Sequence, residues 1–141
     1  MSAPLEELRR AFAGTLPGLL GIEVLAVGPG AVEARMPLRP EHDAPVAGGR
    51  LHGGATVSLA DTCCGVGSMA SLPEGMGGFT TVELKANFLR TAAPPDALRC
   101  AAALVHDGRT TQVWDATVTR ESDGTAVALV RCTQYLLPGA P

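Results

Sequence analysis

The sequence predicts an α+β fold: an antiparallel sheet of about six strands wrapped around one long central helix. Three observations carry this expectation. Only Gly54 to Ala70 is both long and helically periodic enough to be a buried helix. Six other segments show strand periodicity or β-branched, apolar composition. The last strands are joined by short turns such as Asp107-Gly108 and Ser122-Asp123-Gly124, so they should run as an antiparallel meander. A single long helix covers only one face of such a sheet. The 141 residues favour one domain, 1–141. A chain of that size buries roughly 70% of the surface its unfolded form exposes.

The elements follow in order. Leu5, Leu8 and Phe12 fall at helical spacing, which predicts a short helix over 5–13 stopped by Gly14. Pro17-Gly18 reads as a turn. Ile22 to Val27 and Ala31 to Leu38 flank Gly28-Pro29-Gly30 and predict a hairpin, with Val32, Ala34, Met36 and Leu38 on one face. Arg39 to Arg50 lacks periodicity and reads as a loop. After the helix, Leu72 to Gly78 is loop. Thr80 to Arg90 then alternates, placing Val82, Leu84, Ala86 and Phe88 on one face and Thr81, Glu83, Lys85 and Asn87 on the other. Strands over 97–106, 110–120 and 125–137 follow, and the tail 138–141 is expected to fray.

Composition excludes several function classes. With 46% hydrophobic and 18% charged residues the chain is not disordered. A net charge of −3 argues against nucleic acid as a partner. No apolar run approaches the ~20 residues that span a bilayer, so no membrane partner is expected. The charged N-terminal segment lacks a signal-peptide core, so a cytoplasmic protein is expected. Cys63, Cys64, Cys100 and Cys132 match no zinc or disulfide spacing and read as buried thiols. No metal or cofactor site is expected.

The central helix carries two stripes. Ala55, Leu59, Cys63, Val66 and Ala70 form the core face. Gly54, Ser58, Asp61, Gly65 and Ser68 form a second stripe of small residues holding one acid. Glycine costs about 1 kcal/mol inside a helix. Gly65 and Gly67 therefore imply a close neighbour, either a packed element or a ligand.

The stretch His52-Gly53-Gly54, followed after four residues by Leu59-Ala60-Asp61-Thr62, resembles the hotdog-fold acyl-CoA thioesterases. The similar branch contains the second-type hydroxybenzoyl-CoA thioesterases and the phenylacetate-degradation thioesterases. Thr80 to Ala92 resembles that family's third strand, and Asp107-Gly108-Arg109-Thr110 its later hairpin. The resemblance implies a hotdog fold, a homodimer with a continuous sheet, often a homotetramer, and active sites at the dimer interface. It implies an acyl-CoA substrate carrying a small aryl or a short to medium-chain acyl group.

The chemistry can be read beside the resemblance. A helix N-terminus offers free N–H groups and partial positive charge. Gly53 has no side chain to keep a carbonyl away, so its N–H is the candidate oxyanion donor. Asp61, among small and apolar residues, is the candidate base or nucleophile. By the resemblance, Thr81 positions the water or the carboxylate, and His52 ties the loop to the helix start or joins the catalysis. Arg90 and Arg109 are candidates for the CoA phosphates, with forked guanidinium groups suited to them. The family's Asn or Gln six residues before the His is Val46 here. Gly53 and Asp61 stand ~12 Å apart along one helix, too far to act on one carbonyl, so a catalytic pair requires two subunits. An acyl-thioester hydratase or dehydratase and a non-catalytic acyl-CoA binding module are the alternatives.

Overall fold

The computed structural model describes residues 3–46 and 48–140. In chain order the elements are α1 (Ala3–Phe12), α2 (Leu16–Leu19), β1 (Glu23–Gly28), β2 (Ala31–Pro37), a 3-10 turn (Pro40–His42), α3 (Gly53–Ala70), β3 (Met76–Phe88), β4 (Ala97–Asp107), β5 (Thr111–Arg120) and β6 (Ala126–Pro138). Six strands form one antiparallel sheet in the order β1-β2-β4-β5-β6-β3. The helix α3 packs against all six.

That strand order corrects the expected meander. Of the four strands after α3, only β4, β5 and β6 lie beside their sequential neighbours, as β1 and β2 do at the other edge. β3 pairs with β6 at the far edge, and β4 pairs with β2. Residues 89–96 make the crossing, guided first by Val127 O, which accepts from the N–H groups of Leu89 and Arg90. The early segments also differ slightly from expectation. Pro17-Gly18 lies inside the single turn of α2, where proline near a helix start is already preset in φ.

The helix α3 is more deeply embedded than one stripe requires. Ala55, Leu59, Cys63 and Val66 are buried as expected, whereas Ala70 at the helix end is exposed. Thr56, Ala60, Cys64, Gly65, Gly67 and Ser68 are buried as well, because the twisted sheet curls around the helix. Packing explains both glycines. A Cβ on Gly65 would lie 2.8 Å from the Phe79 ring, and one on Gly67 would lie 2.4 Å from the ring of the fully buried Trp114. The small residues make room for aromatic rings.

β3 starts at Met76, earlier than the glycines suggest. Gly77 is in the strand because β3 runs tightly beside the C-terminal segment: a Cβ there would lie 2.7 Å from Gly139 Cα. The expectation of a frayed 138–141 is corrected accordingly. Pro138 ends β6 opposite Met76, and Gly139 N–H donates to Gly75 O at 2.8 Å. Pro141 lies outside the described residues.

A β-bulge interrupts β3. Thr81 faces Gln134 and Glu83 faces Thr133, so Val82 is an extra residue. It inverts the expected alternation. Leu84 and Ala86 still point to the core, but Val82 is 59% exposed and Thr81 turns toward the helix. Strict alternation had placed Thr81 on the outer face with Glu83.

Candidate active site

The loop before α3 is shaped by its own backbone. The buried His42 accepts the Arg39 N–H on Nδ1 at 3.2 Å, and its carbonyl accepts the His52 N–H at 2.8 Å. Ala44 N–H donates to Arg50 O at 2.8 Å, and Asp43 pairs with Leu51. This closure pushes the loop tip outward, where Val46 is 96% exposed. It also delivers His52 as the N-cap of α3, with extended φ −70° and ψ 128°.

His52 Nδ1 accepts the Gly54 N–H at 2.8 Å, and His52 O accepts the Ala55 N–H at 3.0 Å. Gly53 N–H has no partner among the described residues. The cap therefore consumes two of the first N–H groups of the helix and leaves one open. The Phe88 ring stands over Gly53: a Cβ there would lie 3.0 Å from Phe88 Cζ. Around this point lies an open cleft of about 420 Å³, lined among others by Arg50, Gly53, Phe88 and Arg90. Neither arginine pairs with a carboxylate of the described residues.

Asp61 sits two turns further along α3, half-buried and outside that cleft. Thr81 Oγ1 lies 2.9 Å from Asp61 Oδ1, and Cys132 Sγ donates weakly to the same oxygen at 3.8 Å. Thr81 Oγ1 also lies 2.9 Å from Gln134 Oε1. The structure thus joins Asp61 to Thr81, and separately Gly53 to His52 and Arg90. It does not bring the two groups together in one chain. Arg109 is further off, on the exposed β4–β5 turn. That turn lies by the other end of α3, where Gln112 Nε2 donates to Ser71 O at 2.9 Å. Arg90 and Arg109 therefore flank opposite ends of a helix about 27 Å long.

All four cysteines are buried as free thiols, and contact with Cys132 together with burial holds the Cys64 thiol far above the ordinary range. Among the described residues no three His, Cys, Asp or Glu side chains gather in a metal-binding group.

Relatives place this geometry in a family. The sequence profile of the thioesterase superfamily matches residues 48–127, from just before His52 into β6. The chain belongs to that superfamily. It is 35% identical over 116 residues to the proofreading thioesterase EntH of Cronobacter turicensis, covering 81% of this chain and 80% of that one. It is 34% identical over 112 residues to the 1,4-dihydroxy-2-naphthoyl-CoA hydrolase of Escherichia coli, covering 78% of each. A mutant thioesterase from Pseudomonas aeruginosa has a similar structure, with a TM-score of 0.88, 30% identity and coverage of 99% and 97%. The superfamily's hotdog fold is the one seen here, a six-stranded sheet around α3.

Within this thioesterase-superfamily chain, sequence reasoning missed Arg50, Phe88 and Gln134 as site residues. Gln134 carried a signal. It alternates with Cys132 and Leu136, both inward-facing, so its amide had to enter the core.

Proposed function

We propose that this protein hydrolyses acyl-CoA thioesters to a free acid and CoA. The observation that carries this reading is the division of the α3 N-terminus: His52 takes the Gly54 N–H, and the Gly53 N–H stays open above the cleft. An open N–H with the helix dipole behind it stabilises the oxyanion that forms when a thioester carbonyl is attacked. Asp61 supplies the second requirement. As a base it takes a proton from water, whose oxygen bonds to the carbonyl carbon as the C–S bond breaks and CoA leaves as the thiolate, taking that proton. As a nucleophile it bonds to the carbonyl carbon itself, the C–S bond breaks to release CoA, and water then opens the mixed anhydride to the free acid and the Asp61 carboxylate. Thr81 orients its carboxylate. His52 acts as the cap that presents Gly53. Arg90 and Arg50 hold the CoA phosphates at the cleft mouth.

Because Asp61 and Gly53 lie in separate places on one chain, the working site takes Gly53 from one subunit and Asp61 from another. The outer edge of β3 supports this assembly. Its 13 residues pair on one side only, with β6, and leave a row of backbone donors and acceptors open to a second copy. The half-exposed Val57, Ser58, Asp61 and Thr62 on α3 supply a helix face for the same contact. A homodimer is the minimal unit, and pairing of dimers gives a tetramer. The named relatives hydrolyse thioesters, one of them an aryl-CoA, which supports a small aryl or a short to medium-chain acyl group here.

The test is CoA release from aryl and fatty acyl-CoA thioesters by wild type and Asp61→Asn. Wild type is expected to turn over at least one class, and Asp61→Asn to lose at least about 100-fold in kcat. Equal release by the two proteins would refute the assignment of Asp61.

A further inference from the structure

The Thr81 hydroxyl has one proton and two acceptors at equal range, Asp61 Oδ1 at 2.9 Å and Gln134 Oε1 at 2.9 Å. It can donate to only one of them. If it donates to Asp61, the Gln134 carbonyl oxygen faces the hydroxyl's lone pairs. Gln134 Nε2, meanwhile, is buried without a hydrogen-bond partner among the described residues, in a side chain that is 0% exposed. An orphaned buried amide donor costs about 1–3 kcal/mol. A half-turn of the amide about its last side-chain bond removes the conflict at Thr81 and leaves an acceptor, the less costly group, at the unpartnered position. The NH₂ group then donates to Thr81 Oγ1, and the carbonyl oxygen occupies the orphan position.

Resting on the thioesterase reading above, we infer that Gln134 is a positioning residue that sets the direction of the Thr81 hydroxyl. The bonds then run one way, from the Gln134 amide to the Thr81 oxygen and from the Thr81 proton to Asp61 Oδ1. The sheet builds this in. Gln134 on β6 stands opposite Thr81 on β3, and the Val82 bulge turns Thr81 inward toward α3. Gln134 is also flanked by Gln112 on β5, which is committed elsewhere through Ser71 O and Asp107 Oδ1. Thr81 thus has one donor behind it and one carboxylate ahead. Fixing Oδ1 in this way leaves Oδ2 to face substrate or water.

The inference predicts a dependence on direction that mere core filling would not give. Gln134→Met keeps the length but removes the donor. The Thr81 proton is then free to point away from Asp61, so kcat falls about ten-fold while KM changes little. Gln134→Leu, which also fills the buried position without a donor, should show a similar loss. Each variant is also made on Thr81→Val. If Gln134 acts through Thr81, it adds no further loss of kcat there. Wild-type kcat in Gln134→Met or Gln134→Leu would overturn the inference, as would full additivity with Thr81→Val. Failure of the thioesterase reading looks different: Asp61→Asn would then be as active as wild type. Should Gln134→Met fail to fold, Gln134→Leu completes the cycle alone.

Discussion

Thr81 on β3 reaches Asp61 on α3 at 2.9 Å only because Val82 is an extra residue in its strand. Without the bulge, Thr81 would share the outer face of the sheet with Glu83. β-Bulges re-aim side chains in this way near functional sites. Here the consequence is a carboxylate held by a hydroxyl on the open flank of an otherwise buried helix, two turns from the open Gly53 N–H at the helix start.

Subunit complementation tests the shared site. Gly53→Pro removes the N–H at the first helical position, where the backbone accepts proline, and displaces the exposed Phe88 ring from over Gly53. Asp61→Asn removes the carboxylate. Each variant alone should lose at least about 100-fold in kcat. When the two are mixed, unfolded together and refolded, heterodimers gain one intact site from Gly53 of one chain and Asp61 of the other. Activity should return toward a quarter of wild type, the share of sites expected for random pairing of equal amounts. No recovery, despite dimers seen by size-exclusion chromatography, would mean that both groups act within one chain.

Arg50 and Arg90 should matter only for substrates that carry the nucleotide. Alanine at either position is expected to raise KM for a CoA thioester several-fold with little change in kcat, since a remote phosphate contact is lost equally from ground and transition states. The same variants should handle the matching pantetheine thioester like wild type. Added salt should raise the wild-type KM for the CoA thioester more than for the pantetheine one. Alanine at Arg109, at the far end of α3, serves as the comparison.

Gly67→Ala separates helix propensity from packing. Alanine is favoured over glycine in a helix by about 1 kcal/mol. The added Cβ, however, would stand 2.4 Å from the Trp114 ring, which is enclosed by core on every side. Overpacking costs roughly 1–3 kcal/mol and should win. The expected result is a melting temperature lower by several degrees and a changed near-ultraviolet signal from the only tryptophan. A higher melting temperature would show that the ring moves aside freely.

His42 gives the loop before α3 a pH dependence. Burial, followed by the nearby Arg39 charge, lowers its pKa from the ordinary 6.5. The unfolded chain therefore binds a proton that the folded chain refuses. The contribution of His42 to stability is complete above about pH 6.5 and is lost as pH falls through that value toward the lower folded one. Thermal unfolding of wild type and His42→Asn between pH 8 and 5 checks the sign. Wild type should lose stability on acidification more steeply than the variant, whatever their absolute difference; parallel curves would contradict it.

Much of the fold was legible because periodicity reports which faces are apolar. Val32, Ala34 and Met36 alternate and are buried on β2; Ala55, Leu59, Cys63 and Val66 recur at helical spacing and line the core. What periodicity cannot report is which strand lies beside which. The placement of β3 against β6 rather than β4 comes from the crossing made by residues 89–96, and no local pattern encodes it. Gly65 and Gly67 announced a close neighbour, but only packing shows that it is Phe79 and Trp114.

The candidate site divides along the same line. By itself the sequence determined the strand-and-helix inventory, the start of the long helix near Gly54 and the acid at Asp61 within it, because turn residues and helical spacing are local properties of the chain. Tertiary structure decided the rest: Thr81 turned inward by a bulge, Gln134 behind it, Arg50 and Arg90 at one cleft, and Arg109 at the opposite end of α3. Each depends on register and on the curl of the sheet about the helix, and these are set when distant segments pack, not by the residues beside them in the chain.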